Sequence, residues 1–142
     1  MFDLISMALL SAAGSDMTHD VTVQAAGASV RAAYTAYVDV RMQQRGMSPG
    51  TRPGTAQCHW QAFATVTRSV ADDTAPTRSF APVEVGSGFR AGGCMETREG
   101  VQADAAASHR RRIGEVLIET ARRDEATLTA EIAGTGRLAA GN

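Results

Sequence analysis

A chain of 142 residues with 44% hydrophobic content is long enough for one domain with a moderate core. Its 14 basic and 15 acidic residues leave a formal net charge of -1, which excludes a global field for nucleic acid or an anionic membrane surface. Aromatic residues make up only 5%, so the core must lean on Ala, Val and Met.

The N-terminal run Phe2 to Ala13 is apolar and closed by small residues and Gly14-Ser15. It resembles the apolar region and cleavage end of a secretory signal peptide, with Ala13 as the last residue removed, although Asp3 stands where a basic residue belongs. The same run also reads as a short N-terminal helix lying on the sheet, stopped by Gly14. At about 12 residues it is too short to span a bilayer, and no other segment qualifies, so an integral membrane protein is not expected. Ser15 to Thr18 is polar and reads as loose. Val21, Val23 and Ala25 then alternate with Thr22 and Gln24, predicting a short first strand, with Gly27-Ala28-Ser29 as the turn after it.

The strongest pattern runs from Val30 to Val70. Val30, Ala32, Tyr34, Ala36, Val38, Val40 and Met42 alternate with polar and small residues, and Cys58, Trp60, Ala62, Ala64 and Val66 repeat that alternation. Helical spacing is also present from Val30 to Arg45, but unbroken period 2 with β-branched residues favours strand. Folding back about Pro49-Gly50 predicts Val40 opposite Trp60, Val38 opposite Ala62 and Tyr34 opposite Val66. The other face then places Tyr37 beside Phe63 and Thr35 beside Thr65. Arg45 to Thr55, with two Pro-Gly pairs, is a loop at the tip and a candidate contact loop.

Ala71 to Thr77 reads as a turn, and Ser79 to Ala91 as a fourth strand with Ala81, Val83, Val85 and Phe89 on one face. Pro82 marks that strand as an edge, and Gly86-Ser87-Gly88 as the place of a bulge. From about Val101 to Ala133 the chain is free of proline and rich in helix formers, with Ile113, Leu117, Ala121, Asp124, Leu128 and Ile132 along one side. Gly134 and Gly136 are expected to stop this helix. The expected fold is therefore α+β: an antiparallel four-stranded meander around a long central hairpin, packed by a long C-terminal helix. One domain is expected over residues 14–142, with its sheet at about 20–92 and its helix at about 101–133.

Cys58 and Cys94 come together if the fourth strand returns along the third. A bridge there closes a loop of about 35 residues, worth about 3–4 kcal/mol by chain entropy. Behind a signal-like run it points to an oxidising compartment, periplasmic or secreted, the alternatives being a reduced cytoplasmic protein or part of a virion.

No constellation carries catalysis. Cys58 and His59 are strand neighbours and point to opposite faces, so they do not form a thiolate–base pair. Cys58, His59, Cys94 and His109 have zinc-ligand chemistry without zinc-ligand spacing. His109-Arg110-Arg111-Arg112 is a compact basic run, but consecutive helical positions fan around the axis, and Glu115 neutralises Arg111. Asp72-Asp73 suits a turn as well as a weak cation site, and Glu84 is placed to pair with Arg68 across strands. What is left is a sheet face carrying Tyr37, Phe63, His59 and Arg41, two of them aromatics where water is expected. That face, or the 45–55 loop, points to a non-catalytic protein without a cofactor that binds a protein partner or assembles with its own copies. Nucleic acid is not expected as a partner. The alternative is a small-ligand binder or enzyme with a pocket between helix and sheet.

Overall fold

The computed structural model describes residues 17–47 and 54–140, with side chains to residue 135. The Phe2–Ala13 run and the Pro49-Gly50 turn lie outside the described residues. Five strands, β1 (Met17–Ala25), β2 (Ala28–Arg45), β3 (Gln57–Val70), β4 (Arg78–Ser79) and β5 (Val83–Ala91), precede two helices, α1 (Cys94–Ser108) and α2 (Arg110–Ala140). All strand pairs are antiparallel, in the order β1-β2-β3-β4, with β5 also paired to β3. The protein is thus α+β, a sheet packed on one face by helices, the longer at the C-terminus.

β1 begins at Met17 rather than Val21, and its first pairs are Met17 with Ala36 and Thr18 with Thr35. The turn to β2 is the two residues Ala26 and Gly27, at φ 52° and 76°. Positive φ at both positions is what the tightest hairpin turns require, because it matches the right-handed twist of the strands.

The central hairpin keeps the expected faces but not the expected register. Met42 sits opposite Trp60, Val40 opposite Ala62, Val38 opposite Ala64 and Tyr34 opposite Arg68. Tyr37 meets Thr65, and Thr35 meets Thr67. A slip of two residues returns every side chain to the same face, so alternation alone cannot distinguish the two registers. The base of the loop and the partners of Arg68 settle it. Gly46, at φ 83°, lies so close to the Thr55 carbonyl that a Cβ would fall 2.6 Å from its oxygen.

The expected fourth strand is split at Pro82, which supplies no N–H to the ladder, into β4 and β5 along one edge of β3. The bulge is present, at Val85: Ala62 pairs with Gly86 and Phe63 with Glu84. Val85 turns into the core, and beyond the bulge the inner face passes to Gly86 and Gly88. Phe89 is therefore turned outward and is 63% exposed, not on the buried side with Val85 as expected. The Trp60 ring fills the space a side chain at Gly88 would need, 2.7 Å from its Cβ position, and the His109 ring does the same at Gly86. Glycine here admits the neighbours' rings.

The helical region differs from the single 101–133 helix in three respects. It starts at Cys94, breaks at His109 (φ -116°, ψ 10°) and runs through Gly134 to Ala140. One glycine in a long helix costs only about 1 kcal/mol relative to Ala, too little to end it without a proline or a tertiary stop. The predicted stripe on α2 holds: Ile113, Leu117, Ala121, Asp124, Leu128 and Ile132 are all buried, with Val101 and Ala105 of α1 beside them. Opposite them lie Ala32, Ala36, Ala62 and Ala64, each fully buried. Small side chains on the sheet let the helices approach closely, which is how a chain poor in aromatics closes its core.

Gly114 does not serve that close approach, since an added Cβ would meet only the Met17 Cε, at an ordinary 3.6 Å. Gly114→Ala should therefore stabilise the protein by about 0.5–1 kcal/mol through helix propensity and a less flexible unfolded chain. A lowered thermal midpoint would show instead that the helix needs the gap.

Candidate protein-binding face

The helices cover the even-numbered face of β2 and β3, leaving the odd-numbered face without a layer over it among the described residues. Three aromatics stand there: Tyr37 (50% exposed), Phe63 and Phe89. Tyr37 and Phe63 are not directly opposed. Tyr37 pairs with Thr65 and Phe63 with Asp39, so the rings are diagonal neighbours. The Arg41 guanidinium lies over the Phe63 ring, 4.4 Å from its centroid, and holds the arginine flat along the face. Arg41 is also 3.8 Å from Asp39, an exposed and weak pair. His59 stacks on Phe89, centroids 5.6 Å apart, because the Val85 bulge turned that ring outward. The His59 ring is also 3.2 Å from the Gln57 side-chain oxygen.

Arg41, Arg45, His59, Gln61, Ser87 and Phe89 enclose a groove of about 550 Å³ on this face. β3 forms its floor, β2 one wall and β5 the other. All four predicted interface residues, Tyr37, Phe63, His59 and Arg41, thus share one surface. Phe89 joins them; its alternation had placed it on the buried side, and only the exact position of the bulge reveals otherwise.

The Cys58–Cys94 disulfide underlies one end of this surface, joining the start of β3 to the first residue of α1. Cys58 is fully buried and the two Cα atoms are 4.8 Å apart. The Gln44 side-chain oxygen accepts from the Cys94 N–H at 3.2 Å, so β2 caps the helix that the disulfide tethers. No family model, curated protein or solved structure matches this chain.

The other concentration of polar groups is inside. Arg68 of β3 is fully buried and donates to the Asp124 carboxylate of α2 at 2.6 Å and to Glu131 at 2.5 Å. The Tyr34 hydroxyl donates to the same Asp124 oxygen at 2.9 Å, and Arg68 also reaches the Pro76 carbonyl at 3.0 Å. Arg78 stands over the two acids, 3.6 Å from Glu131 and 3.9 Å from Asp124, half in solvent. Glu84 takes no part: it lies opposite Phe63 on the outer face, so the expected Arg68–Glu84 pair does not form. Burial first, and then the hydrogen bond to Asp124, push the Tyr34 phenol well above its ordinary value. The bonds to Asp124 and Glu131 outweigh the desolvation that disfavours charge on Arg68, and keep it protonated. A carboxylate in the middle of the α2 stripe was the sequence signal for this cluster, because a buried acid must have a partner.

A smaller hollow of about 340 Å³ opens beside the cluster, between β4–β5 and α2, with Arg78, Phe80 and Asp124 in its wall. This is where a pocket between helix and sheet would hold a ligand, but its carboxylate already accepts from Arg68 and Tyr34. The two histidines discussed above do not meet. His59 is on the outer face, whereas His109 packs edge-on to Trp60, centroids 5.4 Å apart, on the inner one. With both cysteines in the disulfide, no zinc set assembles from these four residues. Arg111 and Arg112 both lie against Glu115, at 3.5 and 3.4 Å, on an exposed helix surface.

Proposed function

We propose that this is a small exported, non-catalytic protein that binds a protein partner through the outer face of its sheet. The observation that carries the reading is that exposed Tyr37 and Phe89 share with Phe63 and Arg41 the face the helices leave uncovered among the described residues. Aromatics and arginine are the side chains that contribute most to protein interfaces, because each offers a large rigid contact area together with a polar handle. Export is supported by the signal-like Phe2–Ala13 run and by a disulfide compatible with an oxidising compartment.

Site-specific photocrosslinking in the native host tests this reading. A photoreactive phenylalanine analogue at position 37 or 89 should give the same discrete protein adduct, and the analogue at position 122 on the far side of α2 should not. If positions 37 and 89 yield no adduct, or if all three yield the same diffuse set, the sheet face is not an interface.

A further inference from the structure

We infer that the groove between β2 and β5 takes an extended acidic segment of the partner, an inference that rests on the sheet-face reading above. Arg41 and Arg45 rise from the same face of one strand, four residues apart, and both line the groove. At strand rise that spacing is about 14 Å, the distance separating carboxylates four residues apart on an extended peptide. His59 on the floor lies level with the midpoint between the two arginines, while Gln61 and Ser87 line up with Arg41 across the groove, and all three add hydrogen-bonding groups. The His59–Phe89 stack supplies a flat apolar surface for the segment to lie on.

Among the described residues no carboxylate lines the groove, so the charged side chains in its wall are both basic although the chain as a whole is at -1. The acids nearest in register are Asp39, two residues before Arg41, and Glu84, opposite Phe63. They stand beyond the groove along the sheet. That arrangement suits a short segment carrying isolated acids, and repels a continuous phosphate polymer passing over the face. Arg41 is held in place by the Phe63 ring rather than by its weak contact with Asp39, so an incoming carboxylate meets a guanidinium already oriented.

The test uses the intact, disulfide-bonded protein and a fluorescent nine-residue peptide with glutamate at its third and seventh positions and serine or threonine elsewhere. Fluorescence polarisation should show saturable binding that weakens with added salt. Arg41→Gln combined with Arg45→Gln should weaken it at least about tenfold, the scale of one lost charge-assisted hydrogen bond. Both side chains are exposed, and an unchanged thermal midpoint would confirm that the variant is folded. The inference is overturned if the peptide does not bind, if the double variant binds it equally well, or if a single-stranded oligonucleotide of equal length binds more tightly. Crosslinking from position 37 separates the two levels of the argument. Adducts that persist in the double variant leave the interface standing and remove the acidic segment, whereas loss of adducts from the folded parent chain removes both.

Discussion

Asp124→Ala is expected to cost about 3 kcal/mol, the lower end of the range for removing one partner of a buried ion pair, because Glu131 still faces Arg68. Arg68 is wholly inside, its Nε has no partner among the described residues, and loss of Asp124 would leave its Nη1 unpaired as well, with only Glu131 and the Pro76 carbonyl still bonded to Nη2. Tyr34 would lose its acceptor in the same step. The loss is a large share of the roughly 5–15 kcal/mol that holds a typical domain together. Urea denaturation measures it directly. Replacing the set together, Tyr34→Phe with Arg68→Met and Asp124→Leu, should recover most of the loss, because an apolar core of similar volume leaves no unpaired charge. A single variant within about 1 kcal/mol of the parent would mean that the cluster is not the anchor of α2.

The same cluster gives the protein a defined response to alkali. The Tyr34 phenol is neutral in the fold and has its pKa raised, first by burial and then by its bond to Asp124. Its contribution is complete below about pH 10, the ordinary phenol value, and drains away as pH rises toward the elevated folded value, since the unfolded chain ionises first. Stability should therefore fall above pH 10 by up to about 1.4 kcal/mol per pH unit from this group. Tyr34→Phe should flatten that slope, and an unchanged slope would assign it elsewhere.

Opening the disulfide is the second large effect. Cys94→Ser is expected to cost about 3–4 kcal/mol, the entropy of releasing a loop of this size in the unfolded chain. For a chain of this length that is on the order of 10 °C in thermal midpoint. It also frees the start of α1, whose first amide would retain only the Gln44 cap. Because Cys58 is fully buried, reductant should act on the folded protein slowly, at the rate of local opening. A thermal midpoint insensitive to Cys94→Ser would show that packing alone fixes α1 against β3.

The faces of this sheet were legible in the residues, and their alignment was not. Period 2 over Val30–Met42 and Cys58–Val66 assigned nearly every inward position, and the α2 stripe from Ile113 to Ile132 was correct throughout. The hairpin register escaped because a two-residue slip conserves that pattern, and what distinguishes the alternatives is tertiary: Tyr34 and Arg68 must lie side by side to reach one carboxylate on α2. Phe89 was misplaced for a related reason. A bulge was expected near Gly86, but whether it lies before or after a given residue inverts that residue's face. The helix break at His109 had no sequence signal of its own, being set by an imidazole lodged against Gly86 and Trp60.

The Arg68 cluster also bears on when the molecule can fold. Its hydrogen bonds span 90 residues from Tyr34 to Asp124 and 56 from Arg68 to the same acid, so it belongs to the slow, non-local part of the contact map. During synthesis the hairpin emerges first, carrying an arginine at a position that must become dry, and the counter-ion follows only with the last quarter of the chain. Until then, burying Arg68 in the sheet would strand an unpaired charge, so the dry packing of this part of the core waits for α2.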